Sequence, residues 1–376
     1  KLISKEAKFQ DNDRSKTQTT DYKSTESENK LRVEYTGRKN GLKYNVGIGY
    51  ELARYYNKSR FAVPFGTVNY ETKFVVHKYS LFSQVSKSVF KERLALSLGV
   101  RFDGNSYNSS MANIVNQVSP RFSSSLSITK DLRWNTNVGY YHQLPQYTAM
   151  GYKDTSGILV NKGSLTYSRN LHVVTGFDLS TKWNGRSSLE GFYKQYFNMP
   201  YSVRNQVSLS NLGGGYGVLG NEPVTSTSEG RAYGLEFLYE QKLNKGFYGT
   251  FAYTLFWSEF KDKNGKYAPS SWDSRHIITF SLGKKFKKGW ELGGRLRSQG
   301  GFPYTPTDVA TSSLIPVYNA QPEGVLDWNQ LNQSRLKFFY AFDIRVTKKW
   351  AFKQWGLELY LDIQNLTMSK VDQAPT

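Results

Sequence analysis

Charged side chains that recur at every second position are the first residues able to do chemistry. Arg335, Lys337, Asp343 and Arg345 lie in register against Leu336, Phe338, Tyr340, Phe342, Ile344 and Val346. The same mixture of acids and bases occurs at Glu236 and Glu240, at Glu291, Arg295 and Arg297, and at Glu358 and Asp362. Successive side chains of a strand point to opposite faces, so this spacing puts each charged set on one face and the greasy set on the other. Charges so placed pair across neighbouring strands, or they contact a solute in front of them; both readings stand.

A second group is aromatic. Tyr147, Tyr152, Tyr201, Tyr216, Trp272, Tyr304, Tyr318 and Trp328 fall in connections rich in Gly, Ser, Asn and Pro. Aromatics there stack on a ligand or pack on one another. Gly213-Gly214-Gly215 lacks the lysine and the strand-to-helix context of a phosphate cradle. His77, His142, His172 and His276 have no partners at metal-ligand spacing, so no metal is expected. The chain has no cysteine, which excludes disulfides, thiolate nucleophiles and cysteine-held metals. Hydrolysis would need a Ser or Asp beside a histidine such as His142 at one strand end. His142 could meet Ser or Asp residues of neighbouring outer loops, which sequence does not show, and neither catalysis nor a cofactor is expected.

The elements that carry these residues are hairpins. Strands pair over about 29–38 with 42–52, 72–87 with 91–103, 118–129 with 132–143, 171–183 with 187–199, 230–243 with 247–259, 274–286 with 289–299 and 335–348 with 355–367. Asn40-Gly41, Asn184-Gly185, Lys245-Gly246 and Lys288-Gly289 supply the positive φ of tight turns. The connections between hairpins, about 53–71, 104–117, 144–170, 200–229, 260–273 and 300–334, are long. Short turns alternating with long loops, on strands long enough to cross a bilayer, predict a large antiparallel transmembrane β-barrel. Gly41, Gly185, Gly246 and Gly289 then lie on the periplasmic side and the long loops outside.

Composition agrees. The 376 residues are 38% hydrophobic and contain no apolar run of transmembrane-helix length. Aromatics reach 15%, with 27 Tyr and 8 Trp, which suits interfacial girdles. An aromatic-rich secreted sandwich is the alternative. The formal net charge of +20 is spread singly along strands and turns. It reads as lumen lining and as contacts to outer-membrane lipid and lipopolysaccharide, not to nucleic acid. Residues 1–28 read as an outer loop or a disordered start of one barrel domain over 1–376. The missing leader and the absence of a closing aromatic strand after Val371 suggest that the barrel continues on both sides.

Specific stretches then resemble the TonB-dependent outer-membrane receptors. Gly234-Leu235-Glu236-Phe237 after Gly230-Arg231 is similar to their RGxE strand. Asp273-Ser274-Arg275-His276 is similar to the D-R-H segment before a late strand, and Phe302-Pro303-Tyr304-Thr305-Pro306 to the PYTP loop. Asp362-Ile363-Gln364-Asn365-Leu366 resembles D-x-x-N-L, and Leu144-Pro145-Gln146-Tyr147 a Pro-containing strand exit. The resemblance, carried by order and spacing over about 120–370, implies a barrel of about 22 strands. Of these about 14 are present here, without the plug domain or the terminal strands. It implies a Gram-negative outer-membrane receptor that imports a scarce, bulky solute by energy coupling. Its partners would be a plug in cis, the inner-membrane energy-coupling complex and a surface lipoprotein lid. A structural barrel subunit of a larger assembly and a passive porin are the alternatives. The resemblance does not identify the solute.

Overall fold

The protein, seen here as a computed structural model, is described over residues 2–12, 15–63, 66–154, 156–212, 220, 222–321 and 324–372. Side chains are placed within these segments except at 2–12, 15–20, 61–63, 66 and 68. Among the described residues nineteen strands follow one another. They are β1 (Leu2–Asn12), β2 (Ser15–Lys39), β3 (Leu42–Val63), β4 (Gly66–Val89), β5 (Leu94–Asn105), β6 (Val118–Ser127), β7 (Leu132–Gln143), β8 (Ser168–Ser180) and β9 (Gly185–Ser202). Then come β10 (Val207–Ser208), β11 (Val224–Asn244), β12 (Phe247–Lys261), β13 (Tyr267–Pro269), β14 (His276–Lys285), β15 (Trp290–Gln299), β16 (Pro303–Tyr304), β17 (Ser334–Arg335), β18 (Phe339–Ala351) and β19 (Gly356–Ile363). The long strands form one antiparallel meander in chain order, with short β10 and β13 on its rim. β16 and β17 pair only with each other. Among the described residues no ladder joins β1 to β19.

The seven expected hairpins are all present. The turns work as their residues require: Asn40 and Gly41 have φ of 51° and 74°, Lys245 and Gly246 49° and 88°, Lys288 and Gly289 57° and 76°. The 89–94 turn has no glycine and drives Phe90, Lys91 and Glu92 into the left-handed region.

One face of the meander is apolar and open. Leu31, Val33 and Tyr35 lie opposite Tyr50, Ile48 and Val46, all exposed. Leu189, Leu235, Phe280, Leu282 and Leu292 continue the band. A contiguous apolar belt of this extent is a lipid-facing surface. At the turn end it meets a row of exposed aromatics: Phe90, Trp183, Phe247, Trp290, Trp350 and Trp355. This is the girdle expected where a barrel leaves the hydrocarbon.

Two expectations about the loop end change. Of the described residues, 2–12 and 15–28 are strand and not a loop or a disordered start, and 53–63 and 66–71 are strand and not a long connection. β2, β3 and β4 run for 25, 22 and 24 residues, about 80 Å at 3.3 Å per residue, far beyond a lipid span of about 25 Å. The projecting part alternates Ala53, Tyr55, Asn57 and Ser59, all buried, with exposed Arg54, Lys58 and Arg60. Its inward side carries small and polar groups, so a hydrophobic period does not show in the sequence. The loops cover that side: Ala53 and Val76 join Tyr107, Met111, Ala149, Met150, Leu165, Tyr167, Leu209 and Val224 in one core. The principal core therefore sits in an outer crown of strand extensions and loops.

Candidate functional site

The polar face of β11–β19 is built around Asp343. Its carboxylate accepts from Arg295 at 2.8 and 3.0 Å and from Arg297 at 3.2 Å. It also accepts from the main-chain N–H of Asn365 at 2.8 Å. The ladder explains this: Arg295 lies directly opposite Asp343, and Arg345 opposite Asp362. Glu291 accepts from the Tyr248 hydroxyl and lies 3.7 Å from Lys349. Lys349 reaches Glu358 at 3.4 Å, and Arg345 sits 3.9 Å over the Tyr360 ring.

Glu240, Glu291, Arg295, Asp343, Arg345 and Asp362 line one cavity of about 910 Å³. Arg297 is bonded to one of its members and Glu358 pairs with Arg345 and Lys349, so eight of the eleven expected residues form one unit. Glu236 lies on the same face but outside the cavity, opposite Glu190 and Thr254. Two residues do not belong. Arg335 turns into the loops, and Lys337 is exposed in the segment between β17 and β18. The strand expected from 335 starts only at Phe339, because Leu336 bonds back to Phe302 at 3.0 Å and holds the chain at the rim.

Arg335 instead completes an anchor. Asp273 is fully buried, with Arg275 at 3.0 Å and Arg335 at 3.3 Å. Arg335 also donates to the Asp273 carbonyl at 2.5 Å and the Gly301 carbonyl at 3.2 Å. Burial pushes the Asp273 carboxyl up in spite of both guanidinium groups. A Cβ on Gly301 would lie 1.6 Å from the Leu336 carbonyl oxygen, so only glycine admits this approach. The D-x-R and PYTP stretches thus meet: β16 pairs with β17 across the anchor.

The anchor holds Trp272 at the loop cavity, a space of about 490 Å³. Trp272 and Trp328 line it together with Leu144, Pro145, Met199 and Leu326. The other expected loop aromatics are elsewhere. Tyr147 donates to Glu28 at 2.8 Å and packs on Tyr55 and Phe74. Burial and the Glu28 carboxylate raise its hydroxyl to about 12. Tyr152 stands edge-on to Tyr70, Tyr201 lies in β9 opposite Thr225, and Tyr304 lies in β16 opposite Ser334. Tyr318 is exposed on the short helix Ile315–Ala320. Tyr216 lies outside the described residues.

Residues without a local sequence signal tie the loop layer together. Asn161, fully buried, donates to the carbonyls of Ala149 and Glu222 and accepts from the Val224 amide. Asn332 donates to the carbonyls of Asn211 and Pro269. Glu28 binds Lys78 at 2.7 Å and Lys30 at 2.8 Å, and Lys78 also binds Glu51 at 2.7 Å. Burial opposes ionisation of Glu28, but hydrogen bonds from Lys30, Lys78 and Tyr147 outweigh it and hold the carboxyl at about 2.

His142 does meet a serine, with Ser119 Oγ 3.1 Å from its Nδ1. That oxygen belongs to a residue only 1% exposed, and Asp103 is engaged by Arg101 at 2.8 Å. The contact offers no accessible nucleophile. Among the described residues no three His, Asp or Glu side chains are grouped to hold a metal ion.

A family model described as "TonB dependent receptor-like, beta-barrel" matches residues 4–366. Among solved structures, the chain is similar to the ferric yersiniabactin uptake receptor FyuA from Yersinia pestis, with 13% identity and a TM-score of 0.63. That match covers 93% of this chain and 50% of the receptor. The ferripyoverdine receptor of the Pseudomonas aeruginosa outer membrane, bound to ferripyoverdine, matches at 13% identity and a TM-score of 0.65, over 97% of this chain and 48% of its own. The copper transporter OprC matches at 13% identity and 0.62, over 93% and 51%. The chain thus spans about half the length of the solved structures it matches. No curated protein matches the sequence.

Proposed function

This chain belongs to the TonB-dependent receptor-like β-barrel family of the Gram-negative outer membrane, and from that premise we propose that it forms the larger part of a receptor importing a scarce, bulky solute by energy coupling. The observation that carries the reading is the paired charge set around Asp343, which faces a cavity of about 910 Å³ below a loop layer with its own core and its own cavity. A greasy plug could not be held against such a wall. A polar plug could, by bonding to Arg295, Arg297, Arg345 and Lys349, whose side chains are each about half exposed while Asp343 stays buried beneath two of them.

In this reading the lining residues, with Glu236, contact the plug, and the loop aromatics Trp272 and Trp328 meet the solute first. The plug in cis couples to the inner-membrane complex across the periplasm. A surface lipoprotein lid would cover the crown. Lys23, Lys58, Arg54, Arg60 and Lys73 share the outward side of the crown strands and suit the phosphates of lipopolysaccharide.

The test uses the full-length protein in its native cells. Solutes accumulated from a mixed medium are compared, by mass spectrometry, between wild type, a strain lacking this protein and a strain lacking the inner-membrane energy-coupling protein. The expected result is one class of solute lost in both deletions. Accumulation that survives loss of energy coupling would show a passive pore. Identical profiles in all three strains would show a structural subunit.

A further inference from the structure

The loop cavity departs from the rest of the chain in charge. The protein carries +20 overall, yet none of the described residues lining this cavity is Lys or Arg. Among the described lining residues the one charged side chain is an acid: Glu222 is 7% exposed, and its carboxylate accepts from Ser202 Oγ, a neutral partner. Arg275 and Arg335, close in sequence or space to Trp272, are both committed to Asp273. Among the described lining residues, an anionic chelate entering here would find a buried carboxylate and no cation to balance its charge, at a cost that desolvation increases.

What the cavity does offer is two indoles, an apolar wall that includes Leu144, Met199 and Leu326, and several neutral polar groups. Trp272 stands out. Ser270, Ser271, Asp273 and Ser274 around it are each at most 3% exposed, while its own side chain is 53% exposed. The Trp272 amide is 3.3 Å from Ser270 Oγ, and Ser271 donates to the Ser210 carbonyl at 3.0 Å. The main chain is fixed and the ring is left open, so stacking on it requires no ordering of the loop. Trp328 lines the same space, with Gln143, Gln146 and Asn205 along its edge. The negative face of an indole favours the weakly positive C–H groups of a sugar ring. Amide side chains both donate and accept, as hydroxyl groups demand. A volume of about 490 Å³ lies within the roughly 300–1,000 Å³ of small-molecule sites.

We infer that this cavity binds an uncharged saccharide, stacked on Trp272 and Trp328. The inference rests on the receptor reading above and names the solute class. It is tested with the full-length protein in detergent on an array of neutral oligosaccharides, and by titration with ferric citrate as an anionic probe. The expected result is retention on at least one neutral glycan, weakened about tenfold by Trp272→Ala and largely restored by Trp272→Phe, with no saturable binding of ferric citrate. Retention on no neutral glycan, saturable ferric citrate binding that Trp272→Ala abolishes, or glycan binding indifferent to Trp272→Ala would each overturn it. Uptake of the retained glycan by energised cells is measured separately. Binding without energy-dependent uptake would sink the transport reading and leave the saccharide site standing; energy-dependent uptake of a different, charged solute would do the reverse.

Discussion

Two single residues carry the most weight at the loop end. Asp273 has no exposed surface and holds two guanidinium groups, so removing it leaves both cations without their carboxylate, Arg335 keeping its carbonyl acceptors and Arg275 the Trp257 ring. Asp273→Ala is expected to cost about 1–3 kcal/mol, read as a shift in the urea unfolding midpoint of the folded protein. Arg335→Ala should give a smaller loss, because Arg275 remains on the carboxylate. Glu28 is the residue that ties the crown to pH. Its carboxyl is held at about 2 in the folded protein, below its ordinary value. A depressed acid contributes stability that is complete above the ordinary carboxylate pKa and fades as pH falls toward the folded value. Acidification from about pH 5 to pH 2 should therefore loosen the contact of Tyr147 with the crown. Protection of the amides over 144–151, taken as exchange relative to the intrinsic rate at each pH, should fall across that interval in wild type and be low and flat in Glu28→Gln.

At the scale of elements, β18 is the strand on which the register is most easily tested. Phe342 lies opposite Leu296 on the apolar face, and Arg345 opposite Asp362 on the charged one. Phe342→Arg is expected to impair assembly by about 2–4 kcal/mol if placed near the bilayer midplane. Arg345→Ala should stay within about 1 kcal/mol, since its contact to Glu358 is 3.7 Å long and both side chains are close to half exposed. Heat-modifiable migration of the two variants checks both. The same strand shows what an alternation can miss. The period continues through Leu336 and Phe338, but the chain over 336–338 is rim, bonded to Phe302 and Asp372. Period alone cannot tell a strand from an extended segment whose hydrogen bonds go elsewhere.

The whole molecule has two regions stabilised by different solvents. The barrel wall shows its apolar side chains to lipid, and the crown buries Met111, Met150, Leu165 and Val76 against strand extensions. Met150→Ala should cost about 2–5 kcal/mol within the crown and leave the wall intact. Limited proteolysis should then cut the 144–170 connection of Met150→Ala faster than that of wild type, while the heat-modifiable band is unchanged. A single cooperative loss of both would show that crown and wall form one unit.

Strand pairing, turn positions, the lipid face and most of the charged wall were legible in the sequence. They depend on a two-residue period and on local turn chemistry, as at Asn40-Gly41 and Lys288-Gly289, and neighbouring strands realise them. Family membership followed from short stretches with the same local character. Only the tertiary structure decided that residues 15–28, 53–63 and 66–71 are strands, because their inward side is covered by loops far away in the chain and holds polar as well as apolar groups. It alone drew Arg335 out of the charged wall to Asp273. It alone separated Trp272 and Trp328, which share a cavity, from Tyr147, which is a packing residue. Which charge finds which partner, and which aromatic stays open, is set by contacts between segments distant in sequence, and those leave no period to read.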